Sequence, residues 1–210
     1  MKHILFLICF AGFMLNQASA QENGRSSFHL GIKAGGNLAN VYDAEGEDFN
    51  ADAKFGYVFG AFMSIPLGAT LGIQPEVLFS QKGFKGRGSL LGSAYVLSRT
   101  TNYIDVPIYL AIKPISVLTL LAGPQFSFLT KQKDVFTNSS SSFEQSEVFK
   151  NENLRKNILG ISFGADLNVS SLVIGARANW DLYNNHGDGT TTTPRYKNVW
   201  VQATLGLRLI

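Results

Sequence analysis

Along most of this chain, apolar and polar residues alternate with a period of two. That is the period of a β-strand whose two faces meet different surroundings. From Phe28 to Leu38 the even positions are Phe, Leu, Ile, Ala, Gly and Leu, and the odd ones His, Gly, Lys, Gly and Asn. The same pattern predicts eight strands, near 28–38, 55–65, 71–83, 101–113, 117–129, 157–168, 172–183 and 197–210. Each is roughly ten residues long, the length a tilted strand needs to cross a bilayer.

The predicted connections are of two kinds. Those at 66–70, 114–116 and 169–171 are short, whereas 39–54, 84–100, 130–156 and 184–196 are long and polar. Short and long alternate, as in membrane barrels with short turns on one side and long loops on the other. The expected fold is all-β, an eight-stranded antiparallel up-and-down transmembrane barrel with both chain ends on the short-turn side. The run Asn138-Ser-Ser-Ser-Ser142 reads as a flexible, surface-exposed part of the third long loop.

Charge decides which face meets lipid. Lys33, Glu76, Lys82, Asp105, Lys113, Asp166, Arg177, Asp181 and Arg208 share one phase of the alternation. The other phase, with Tyr57, Phe59, Ile73, Val77, Ile108, Leu120, Phe163 and Leu205, is expected to be free of Asp, Glu, Lys and Arg. A Lys or Arg facing lipid at the midplane costs about 2–4 kcal/mol, so the charged phase is assigned to the lumen. Its members are expected to pair with one another and with Gln74, Gln125, Asn179 and Gln202, because an unpaired buried charge is very costly. Gly31, Gly35, Gly60, Gly123 and Gly164 fall on the same inward phase, where small residues offset large ones in a narrow barrel. Phe55, Tyr57, Phe79, Phe126, Phe128 and Trp180 are expected as aromatics of the lipid interface near the loop ends. Pro75 and Pro107 break the strand rule, and a hairpin of the third and fourth strands would bring them together at a bulge.

Composition narrows the class. The 210 residues are 16% charged, with 18 Lys+Arg against 15 Asp+Glu, 21 Gly and one Cys. A chain 45% hydrophobic is not disordered, one Cys builds no disulfide scaffold, and a formal net charge of +3 argues for no nucleic-acid partner. Residues 1–20 have a basic start, an apolar run and Ala18-Ser19-Ala20 at the end, the layout of a cleaved signal peptide. Residues 21–210 are then the barrel domain.

Gly31-Ile-Lys33-Ala-Gly35-Gly-Asn37, Gln74-Pro-Glu76-Val-Leu-Phe-Ser80-Gln-Lys82-Gly83, Tyr103-Ile-Asp105-Val-Pro107 and Ala122-Gly123-Pro124 occur in this order. Together they resemble the PorT-like outer-membrane β-barrel domain family. The resemblance covers essentially the whole chain after residue 20. It implies an outer-membrane barrel of a Gram-negative bacterium, with Glu76, Lys82, Pro107, Gly123 and Pro124 as lumen and turn residues. It also implies a setting in secretion or export. The end, Leu207-Arg-Leu-Ile210, lacks the terminal aromatic common to such barrels.

No catalytic, cofactor-binding or metal-binding residue is predicted. His29 stands at the short-turn end of the first strand. His186 lies in a Gly/Asn/Asp-rich loop and reads as a turn residue. The function expected is a non-enzymatic structural or interaction role for a monomer surrounded by outer-membrane lipid. Its long loops would meet other envelope or secretion proteins. A lipid-modifying barrel enzyme and a soluble lipocalin-like barrel are the alternatives.

Overall fold

The computed structural model describes residues 27–42, 50–90, 93–138, 142–147, 157–185 and 196–210. The proposed leader at 1–20 and His186 lie outside them.

Among the described residues, nine strands form one antiparallel sheet: β1 His29–Tyr42, β2 Asn50–Pro66, β3 Leu71–Leu90, β4 Ser93–Ile115, β5 Leu118–Asn138, β6 Ser142–Glu147, β7 Asn157–Val169, β8 Leu172–Asp181 and β9 Lys197–Arg208. Eight of them close a ring. β1 pairs with β2 and, from Gly31↔Arg208 to Tyr42↔Lys197, with β9; β4 pairs with β5, and β5 with β7. The ring closes because each of these eight strands has a hydrogen-bonded neighbour on both sides, which leaves no open edge in lipid. The start of β1 meets the last residues of the chain at the tight-turn side. There the Leu30 amide donates to the Ile210 carbonyl at 3.2 Å, and the Leu209 amide donates to Leu30 at 2.8 Å.

Three long connections differ from expectation, the first, 39–54, because β1 runs on to Tyr42 and β2 already begins at Asn50. The stretch 84–100 is strand on both sides, paired without a register shift from Leu71↔Ile112 to Leu90↔Ser93. β5 likewise runs to Asn138 and pairs with the additional strand β6, so that Thr137 stands opposite Ser142. Asn138 and Ser142 thus end strands and are not loop; 139–141 lie outside the described residues. The reason lies in the solvent. Beyond the bilayer a strand's outer face meets water, so Lys85, Arg87, Ser98 and Thr100 occupy positions that would be apolar in lipid, and the expected contrast disappears. As a result, β2 to β6 rise as a wall on one side of the ring.

Pro75 and Pro107 do come together, since Pro75 stands opposite Ile108. There is no bulge at that point, however. Register shifts occur instead between Ala53 and Val58 in β2 and between Asn102 and Tyr103 in β4.

Candidate functional site

The interior of the ring is built by the alternation itself. In β3 the buried side chains are Gln74, Glu76, Leu78, Ser80, Lys82 and Phe84. In β4 they include Thr101, Tyr103, Asp105, Tyr109, Ala111 and Lys113. The other phase is open to the surroundings, with Ile32 50% and Leu205 60% exposed. A face this apolar and this exposed is what hydrocarbon solvates.

Inside, each of four cations has both an acid and an aromatic face. Lys33 Nζ lies 2.6 Å from Glu76 Oε1 and 4.9 Å from the Phe62 ring. Arg177 lies 2.8 Å from Asp166 Oδ1, 3.5 Å from Glu76 Oε1 and 5.2 Å from the Tyr109 ring. Lys82 Nζ is 3.0 Å from Asp105 Oδ1 and sits over Trp200 at 3.6 Å and Tyr103 at 4.5 Å. Higher up, Arg99 grips Asp134 with Nε at 2.8 Å and Nη2 at 2.7 Å, and its Nη1 donates to the Tyr196 hydroxyl at 2.8 Å. Phe84 meets Tyr196 edge-on at 5.1 Å beside this pair. Ion pairs and ring faces together replace the water these cations would otherwise hold.

The predicted network is therefore several layers, not one web. Gln74 joins the middle layer, donating to Glu76 at 3.0 Å and to Asp166 at 2.9 Å. Gln125 donates to Ser127 Oγ, which also accepts from Lys82 Nζ at 3.2 Å, and Asn179 accepts at 2.6 Å from Ser162, which bonds Tyr109 beneath Arg177. Asp181 is held by the Asn198 amide at 2.5 Å. At the turn end, Arg208 donates to Asn168, which donates to Thr119 at 3.0 Å; Lys113 is buried on the same inward phase of β4. The Arg99–Asp134–Tyr196 cluster was missed because it lies in segments read as loops.

On the outer face, Phe55, Tyr57, Phe126 and Phe128 are exposed, while Phe79 and Trp180 are half-buried by neighbouring rings. Phe79 stacks on Phe59 at 5.3 Å and Tyr57 at 5.9 Å, and Trp180 meets Phe163 at 6.1 Å. Above them the outward positions turn polar. Gln81 donates to Asn102 at 3.1 Å, and Lys131 stands in register with Asn102. Lys197 marks the same edge on β9. It stands on the phase expected to lack charge, at the strand's end and over the Tyr42 ring at 5.7 Å.

The model of the outer membrane protein β-barrel domain family matches residues 17–187, most of the sequence. The chain belongs to that family. Ail, the attachment invasion locus protein of Yersinia pestis, is similar to it in structure at a TM-score of 0.50 and 13% identity, over 86% of this chain and 98% of Ail. Neisserial surface protein A aligns over 86% of this chain and 97% of its own at 10% identity, with a TM-score of 0.49. No curated protein matches the sequence. As an outer membrane barrel, the chain turns its apolar outer face to lipid.

Proposed function

We propose that this protein is a non-conducting, non-catalytic barrel of a Gram-negative outer membrane, exported by its leader, with a structural and interaction role. The closed lumen supports this reading. Lys33, Glu76, Asp166 and Arg177 bind one another across the middle of the ring, and Lys82 is clamped between Trp200 and Tyr103 above them. An eight-stranded interior is just wide enough for side chains to fill, and these side chains use their charges on each other. They are therefore occupied as lattice and not poised for acid–base work. What the protein offers to partners is the wall of β2 to β6 rising past the apolar belt. Its resemblance to PorT-like chains points to envelope proteins of secretion or export as partners, with the barrel itself a monomer.

Two measurements test this. Purified full-length protein in planar bilayers is expected to give no stable openings, and stable conductance on the nanosiemens order typical of open porins would overturn the reading. Density fractionation is expected to place the protein with the outer membrane. A soluble pool that needs no detergent would favour the lipocalin-like alternative.

A further inference from the structure

The rising wall distributes its charge unevenly between its faces. Inside, Arg99 is matched by Asp134. Outside stand Lys54, Lys85, Lys131 and Lys133, with Arg87 bound to Asp52 at 2.8 Å. In β6, Glu144 stands in register with Val135.

Three of these lysines converge. Lys54 reaches from β2 across β3 to β4, where its Nζ donates to Ser98 Oγ at 3.0 Å, the Arg99 carbonyl at 3.3 Å and Thr100 Oγ1 at 2.5 Å. Lys85 stands opposite Ser98, and Lys133 opposite Thr100. The residue that Lys54 crosses is Gly83, opposite Thr100 at φ +154°, where a Cβ would lie 2.2 Å from the Arg99 carbonyl oxygen. A side chain at that point would obstruct the crossing. Burial, and then the neighbouring Lys85, hold the Lys54 ammonium below its ordinary range; Asp134 opposes this and Lys133 adds to it. Asp52, which stands opposite Lys85, is bound by Arg87, and a bound anion would stabilise ammonium groups brought this close together in a sheet face.

Its height identifies the anion. The last wholly apolar outward row is Phe79, Ile104 and Phe128; Gln81, Asn102 and Lys131 follow, then Gly83, Thr100 and Lys133, then Lys85, Ser98 and Val135. Successive outward residues along a strand are about 7 Å apart, so the lysines begin where the headgroups of the surrounding leaflet begin. Basic residues at that level attract anionic headgroups, and ammonium and hydroxyl groups together donate well to phosphate oxygens.

We propose that Lys54, Lys85 and Lys133, with Ser98 and Thr100, form a site on the outside of the barrel for the phosphates of a phosphorylated glycolipid in the outer leaflet. This rests on the outer-membrane reading above and adds a specific ligand class to it.

The test is native mass spectrometry of the full-length protein in neutral detergent, with bisphosphorylated lipid A, its dephosphorylated form or phosphatidylglycerol added in turn. Bisphosphorylated lipid A is expected to stay bound and the dephosphorylated form to be lost. K54Q/K85Q/K133Q is expected to lower the bound fraction about tenfold, with the barrel still heat-modifiable on gels. R87Q is expected to change it less than about twofold. Should the triple variant fail to refold, K85Q and K133Q are measured singly, each expected to weaken binding. Equal retention of the dephosphorylated lipid, or undiminished binding by the lysine variants, would overturn the site. Release of the lipid by millimolar inorganic phosphate would make it a general anion site and overturn the glycolipid assignment. Phosphatidylglycerol held as tightly as lipid A would do the same. Fractionation separates the two failures: a protein that sediments with the outer membrane yet binds no lipid A sinks only this inference.

Discussion

Lys82 Nζ sits 3.6 Å above the Trp200 ring while its other side meets Asp105 at 3.0 Å. A lysine from β3 is thereby locked between a carboxylate of β4 and an indole of β9. This one contact ties together strands that share no ladder.

Breaking this pair from one side leaves a buried charge alone. Lys82→Met strands Asp105, which is 1% exposed, and is expected to lower unfolding stability by about 3–5 kcal/mol. Adding Asp105→Leu is expected to recover most of that loss, since a packed apolar pair of similar volume is often neutral. Urea midpoints in lipid vesicles, followed by tryptophan fluorescence, measure both. A double variant no better than the single one would refute the pairing account.

Glu76 is shared by Lys33, Arg177 and Gln74. Glu76→Gln is expected to cost about 3–5 kcal/mol, because two buried cations lose a countercharge at once. Arg87→Gln breaks a pair whose side chains are 67% and 51% exposed. Its expected cost is below about 1 kcal/mol. The comparison fails if the two variants unfold at similar urea concentrations.

Closure of the ring depends on space at its seam. A Cβ at Gly35 would lie 1.9 Å from the Ala203 carbonyl oxygen, with β1 and β9 paired directly there. Gly35→Val is expected to prevent formation of the heat-modifiable folded band. In the turn, Gly68 has open space around it but φ +153°; Gly68→Ala is expected to fold, at a cost on the order of 1 kcal/mol. Normal folding of Gly35→Val would show that the seam can shift.

Exposure has the opposite meaning here from that in a soluble barrel. Leu205 is exposed on the outer face, yet Leu205→Lys is expected to destabilise by about 2 kcal/mol. A soluble lipocalin-like barrel would tolerate it within about 0.5 kcal/mol. Vesicle unfolding midpoints distinguish the two.

Much of this was legible in the chain because alternation is local. Once Lys33 faces inward, Gly31 and Asn37 do as well, and the same logic placed Glu76, Asp105 and Arg177 in the lumen without any knowledge of their partners. The rule stopped being informative where lipid stopped. Lys85, Arg87, Ser98 and Thr100 read as loop because a wetted outer face carries no apolar marker, so the wall of β2 to β6 and the cluster of Lys54, Lys85 and Lys133 were hidden. Arg99, Asp134 and Tyr196 were lost for the same reason.

By itself, then, the sequence determined the strands that cross the bilayer and the face each turns to lipid, since both follow from a period of two and the cost of charge in hydrocarbon. Only the tertiary structure decided who meets whom. Lys33 finds Glu76 43 residues away, Gln74 finds Asp166 92 residues away, and Lys82 of β3 finds Trp200 of β9. Those partners are set by the register of every ladder and the closure of the ring. Both are properties of the whole sheet that no single strand carries.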